Sequence, residues 1–391
     1  MALTAHSHSN NTDIVHRFMH EIQNRKSIFM HSKHTSAPRG KFSIHWIVAI
    51  LALAFAFFPL MQVQAAATHP AFTEFNAPSR DLIGPVTFIT TGSDGALWFT
   101  ADSNVVGRIS TSGAVTTTLL HSFQFNAQVI TTGPDKALWF TLPNSVPGDT
   151  TARIGRLTTK GVFTGFNIPF DSLPSGITSG SDGNLYFTDQ LKPSIDRITT
   201  QGKITRFFFK DPLGGFPGNI TTGPDGNLWF TDANDGRIGK MTPAGRFTFF
   251  NVPNAQRGTG GFLDAIAAGP DGNVWFTIDG FSGNNSLPRV GRITPAGAVT
   301  EFSLPNENDT TLLSGITTGS DGNLWFTDTV SLQGHPQVGS IVRITPAGVM
   351  SQFFTPSQPS FVQGIAAGPD GNLWFTEIAG LNNLIGRITT H

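Results

Sequence analysis

Four carboxylates recur at the same place in the chain: Asp189, Asp232, Asp328 and Glu377 each follow Leu-aromatic-Phe-Thr. Carboxylates gathered at one mouth of a closed fold offer a hard cation the oxygen ligands it prefers. The same residues can instead cap loops or pair with Arg197, Arg237, Arg343 and Arg387, which follow them. Two histidines add acid–base capacity near neutral pH: His335, within Gly334-His335-Pro336, and His121. Cysteine is absent, which removes thiol catalysis, thiolate metal sites and disulfides.

What must position these groups is a repeat. Its clearest copy is Gly223-Pro-Asp-Gly-Asn-Leu-Trp-Phe-Thr-Asp232, and its central aromatic falls at Trp98, Trp139, Tyr186, Trp229, Trp275, Trp325 and Trp374. Those positions lie 41 to 50 residues apart, the period of a propeller blade. In the fourth copy four strand-like pieces follow one another, 218–222, 227–231, 237–242 and 246–250, joined by Gly-Pro-Asp-Gly and Thr-Pro-Ala-Gly turns. Pro pre-sets φ, Asp bonds its own backbone and Gly accepts positive φ, so these are hairpin turns. Leu228 and Phe230 point one way and Trp229 and Thr231 the other, so each sheet has bulk on both faces and must lie between two others.

The expected fold is all-β: a seven-bladed β-propeller of four-stranded antiparallel blades over 68–391. The seventh copy ends at Ile385-Gly-Arg-Ile-Thr-Thr390 without an outer strand, and Phe72-Thr-Glu-Phe75 matches the missing piece. An N-terminal strand completing blade seven would close the ring and remove an exposed edge.

A net charge of -1 with only 13% charged residues leaves no electrostatic footprint for nucleic acid. Residues 1–41 form a polar, His-rich leader whose composition reads as disordered. The run 42–63 carries no Asp, Glu, Lys or Arg, and Gln64-Ala65-Ala66-Ala67 after it has the small residues that signal peptidase accepts. A signal peptide or membrane anchor at 42–67 is expected, with the propeller outside the cytoplasm. A leader of this length exceeds the roughly 15–30 residues of a signal peptide, and translation from Met30 would shorten it.

Strand direction alternates, so the two turn families share one face, and the links after second and fourth strands share the other. The first face is nearly uniform. The second varies, with long insertions from Leu142 to Ala152, Ile278 to Pro288 and Asp328 to Ser340, and variable loops are where propellers carry function.

The repeat Gly-Ile-Thr-x-Gly-Pro-Asp-Gly-Asn-Leu-Trp-Phe-Thr-Glu/Asp, with Ile-Gly-Arg-Ile-Thr-Pro-Ala-Gly, resembles the streptogramin B lyases, known as virginiamycin B lyases, from about Phe72 to Thr390. The resemblance implies a seven-bladed propeller that opens cyclic depsipeptides by elimination at the ester, using Mg²⁺ and a histidine. It places these groups in the links entering the last two blades and at the end of the following second strand. Here Phe361 stands where a metal-binding Glu is implied, Gln363 where the catalytic His is implied, and Ser314 where a second His is implied. Glu377 matches the acidic position, and Thr87, Gln128, Ser175, Gly218 and Asp264 fill the equivalent links.

Two readings follow. In the first, an exported, monomeric binding or scaffold module takes a small-molecule or peptide ligand at the looped face, through Ser314, Gln363, Asp264, Asp232 and Asp189. In the second, a carbon–oxygen lyase or another metal-dependent enzyme opens cyclic esters or lactones, with Mg²⁺ on Glu377 and Asp328 and His335 as base.

Overall fold

The computed structural model describes residues 70–390, apart from Ser103 and segments 121–125, 144–151, 169–171, 211–213, 256–260, 281–286, 305–309 and 332–335. The leader, the apolar run 42–63, His121 and His335 lie outside the described residues. Among the described residues no helix is long and apolar enough to cross a membrane.

Seven antiparallel sheets follow one another along the chain. Blade one is built from β2 (Val86–Thr91), β3 (Leu97–Ala101), β4 (Val105–Ile109) and β5 (Val115–Leu119). Blades two to five repeat this order, starting with β6 (Ile130–Thr132), β10 (Pro174–Ser179), β14 (Pro217–Thr222) and β18 (Phe262–Ala268). In blade six the innermost strand is broken into β22 (Thr310–Leu312) and β23 (Ile316–Thr318), both paired with β24 (Leu324–Ser331). Blade seven supplies β27 (Ser360–Ala367), β28 (Leu373–Ala379) and β29 (Asn382–Ile388), and β1 (Phe72–Asn76) completes it. The register runs from Phe72 opposite Ile388 to Asn76 opposite Leu384, as ring closure by the N-terminal strand requires.

The period of two along each second strand builds the core. Seven apolar clusters lie one between each pair of neighbouring blades; Trp229 packs toward blade five with Val274 and Phe276, while Leu228 and Phe230 pack toward blade three with Tyr186 and Ile195. Each buried indole would orphan an N–H. The turn aspartate four residues earlier accepts it, at 2.9 to 3.1 Å from Trp98, Trp139, Trp229, Trp275, Trp325 and Trp374 to Asp94, Asp135, Asp225, Asp271, Asp321 and Asp370. Tyr186 donates likewise to Asp182 at 2.8 Å. These hydrogen bonds lower the pKa of Asp94, Asp135 and Asp225 despite the opposing effect of burial.

Blades are joined by the threonine after Trp-Phe. Thr188 Oγ1 donates to Gly218 O of the next blade at 2.7 Å and accepts from Gly176 N–H of its own blade at 2.8 Å. Thr277 does the same with Leu313 O and Ala265 N–H, Thr327 with Gln363 O and Gly315 N–H, and Thr376 with Thr87 O and Gly364 N–H. The accepting backbone lies at a β-bulge, where the register slips in blades one, three, four, five and seven. There the inner strands nearly touch: a Cβ on Gly364 would lie 2.8 Å from Thr87 O, and one on Gly315 2.7 Å from Gln363 O.

Two substitutions test this seam. Thr188→Val leaves a buried N–H and carbonyl unpaired, and Gly364→Ala drives a methyl into backbone. Each is expected to cost about 1–3 kcal/mol in urea unfolding, and Thr188→Ser, which keeps the hydroxyl, should recover most of the first loss.

Candidate functional site

The acidic residues that close the second strands do not form one ring. By strand alternation they share the face of Leu185, Leu228, Leu324 and Leu373, so each is sunk between its own blade and the preceding one. Asp189 is fully buried; it accepts the Leu173 and Leu191 N–H groups at 2.9 and 3.1 Å and pairs with Arg206 at 2.9 Å. Arg206 in turn holds Asp196 at 2.7 Å. Asp232 caps Phe216 N–H at 2.9 Å and pairs with Arg237 at 2.6 Å. Asp328 accepts Ser340 Oγ at 2.9 Å and Gln352 Nε2 at 2.8 Å. Loop capping and local pairing account for all three: Arg237 pairs with Asp232 as expected, whereas Asp189 takes Arg206 in place of Arg197 and Asp328 takes Ser340 and Gln352 in place of Arg343.

Glu377 differs. It is fully buried, and neither carboxylate oxygen is in hydrogen-bond geometry with a described residue. Burial pushes its pKa up to about 7; the Thr355 and Ser360 hydroxyls pull against that shift and Glu74 adds to it. Those two hydroxyls are 2.9 Å apart, and Glu74 itself accepts from Ser357.

Two cavities open near the bulge residues. The central one, of about 380 Å³, is lined by the isoleucine of each Gly-Ile-Thr or equivalent segment, from Ile89 to Ile365, and Ser314 and Asn219 reach it. The second, of about 540 Å³, lies on the looped face among blades six, seven and one. Its walls are Pro85, Pro336, Pro359, Phe361 and Ile378, with Thr87, Ser360, Gln337 and Gln363 as polar groups and Arg80 and Asp102 as charges. Gln363 Oε1 is buried and without a hydrogen-bond partner among the described residues. The bulge turns Gln363 toward the pocket, a common use of bulges.

Mg²⁺ demands near-octahedral oxygen coordination and usually one or two carboxylates. The blade-seven link offers Phe361 and Gln363, and Glu377 does not line the pocket. Among the described residues no three His, Asp or Glu side chains gather as a metal site. The described donor set does not fit the ion.

Asp264 sits at the blade-five bulge and accepts Asn219 Nδ2 at 3.0 Å. Its partner in electrostatics is Asp279, in β19 (Val274–Asp279), which accepts Leu313 N–H at 2.7 Å. Burial pushes Asp264 up to about 7 and, with the charge of Asp264, Asp279 up to about 8. Sequence reasoning passed over Asp279 because Ile278 occupies the usual acidic position. The signal was a slip of one residue, which by the period of two turns the side chain toward the next blade. Asp102 follows Ala101 in the same way and was missed for the same reason.

The profile of the virginiamycin B lyase family matches residues 52–214 and 211–391. No curated protein matches the sequence significantly. A solved streptogramin B lyase is 26% identical, with a TM-score of 0.67 over 82% of this chain and 98% of that one. A catalytically inactive virginiamycin B lyase from Staphylococcus aureus, solved with quinupristin, is 28% identical, with a TM-score of 0.68 over 83% and 100%. YCF48 bound to a D1 peptide shares the fold at 12% identity, with a TM-score of 0.59 over 82% and 95%.

The raised carboxyls give a signed pH dependence. Asp264, Asp279 and Glu377 keep protons in the folded state that the unfolded chain releases near pH 4. Their stabilisation is complete below that pH and is lost as pH rises through about 7 for Asp264 and about 8 for Asp279. Urea midpoints should therefore fall between pH 4 and 9, and Asp279→Asn, which cannot ionise, should flatten the upper part of the fall.

Proposed function

Because the chain belongs to the virginiamycin B lyase family, we propose that it is a ligand-binding propeller that keeps the family's architecture and holds a small molecule or peptide in the looped-face pocket without opening an ester. The observation that carries this reading is the pair Phe361 and Gln363 in that pocket. Elimination needs a group that removes a Cα proton while charge on the adjacent carbonyl is stabilised. An amide does not take up a proton at neutral pH, and a phenyl ring holds no hard cation.

What the two residues do offer is binding. Phe361, Ile378 and the three prolines supply apolar surface, and the unpartnered Gln363 Oε1 can accept a ligand N–H. The volume, about 540 Å³, falls within the roughly 300–1,000 Å³ of small-ligand sites. Export through the apolar run 42–63, by signal peptide or anchor, and a monomeric state belong to the same reading.

Quinupristin, the compound with which the Staphylococcus aureus relative was solved, serves as the test. Purified protein with excess Mg²⁺ is expected to leave the ring intact by chromatography and mass spectrometry, as it does with chelator. Ring opening that requires Mg²⁺ and is abolished by Glu377→Gln would overturn the proposal in favour of a lyase.

A further inference from the structure

The looped-face pocket holds two charges without a hydrogen-bonded partner among the described residues. Arg80 opens the short helix α1 (Arg80–Ile83) and is exposed; its guanidinium makes no hydrogen bond or close ion pair with a described residue. Asp102 is half-buried and likewise lacks a side-chain hydrogen bond from a described residue. Burial raises its pKa and the charge of Arg80 draws it back, so the two feel each other across the pocket without meeting. A carboxylate and a cation that fold against each other normally close into a pair, as Arg237 and Asp232 do at 2.6 Å. These two do not.

Three further features of the same pocket bear on what fits between them. Gln363 Oε1 is a buried acceptor without a donor among the described residues. Phe361 and Ile378 form apolar wall. Leu82 and Leu381, exposed to 74% and 79%, are the most exposed large hydrophobic residues described. Leu82 lies two residues from Arg80 in α1, and Leu381 follows Gly380, which lines the pocket.

Resting on the binding reading above, we propose that the ligand is a short apolar peptide with free termini. Its C-terminal carboxylate pairs with Arg80, its ammonium with Asp102, and a backbone N–H with Gln363 Oε1, while its side chains lie on Phe361 and Ile378 and extend to the exposed Leu82 and Leu381. Guanidinium and carboxylate match in fork geometry, and a charged hydrogen bond is about twice as strong as a neutral one. A neutral macrocycle would desolvate both charges and return nothing to them. A single amino acid would leave most of the cavity and both leucines uncovered.

Leucyl-phenylalanine, its C-terminal amide and its N-acetylated amide are the probes, measured by isothermal titration calorimetry on the whole chain. The free dipeptide is expected to bind about tenfold tighter than its amide. Arg80→Ala, at an exposed position, should remove that preference and Arg80→Lys should keep part of it. Asp102→Asn should remove the further loss on N-acetylation, and Phe361→Ala should weaken all three probes together. Equal binding of free and capped forms to the wild type overturns the charge assignment but leaves the pocket reading intact. Absence of binding by every form overturns both.

Discussion

In six of the seven blades one described hydroxyl, that of Thr141, Thr188, Thr231, Thr277, Thr327 or Thr376, joins the blade to the next. A propeller's blades are separate sheets, and the apolar clusters between them have no direction of their own, so packing alone leaves the blades free to slide along the axis. The threonine after Trp-Phe removes that freedom. Thr188, Thr277, Thr327 and Thr376 each accept from a bulged N–H in their own inner strand and donate to a carbonyl of the next. Because the donors and acceptors are buried, failure to pair them is costly, and each of these blades is held in register with its neighbour.

The same hydroxyls place the functional positions. The carbonyls of Thr87, Gly218 and Gln363 receive Thr376, Thr188 and Thr327, and that of Asp264 receives Thr231. Their backbone is therefore held in place, while the side chains of Thr87 and Gln363 line the looped-face pocket. The scaffold does not depend on which side chain stands there. That is how a pocket can exchange a proton acceptor for an amide, as at Gln363, with the ring intact.

Much of the architecture was legible because the repeat carries its own physics. Seven aromatics at blade spacing, hairpin turns and a period of two along each second strand sufficed for the seven blades and for strand β1 in blade seven. The role of the turn aspartate was only half legible. Asp225 reads as a turn former from its neighbours, but its bond to Trp229 Nε1 at 2.9 Å spans four residues across the hairpin and shows only when the strand is folded back.

The acidic candidates were harder to sort. Asp189, Asp232, Asp328 and Glu377 occupy one position in the repeat, and sequence treats them alike. Their surroundings come from other strands: Arg206 for Asp189, Arg237 for Asp232, Gln352 for Asp328, and for Glu377 two hydroxyls and Glu74 from the far end of the chain. The sequence alone determined the fold class, the closure and the uniform and variable faces, since these rest on local spacing and turn chemistry. Which carboxylates are neutralised, that Asp264 meets Asp279, and that Arg80, Asp102 and Gln363 share one pocket were decided by tertiary structure. Burial and electrostatic pairing depend on contacts between residues far apart in the chain, such as Glu74 and Ser357, 283 positions apart, and no local pattern carries them.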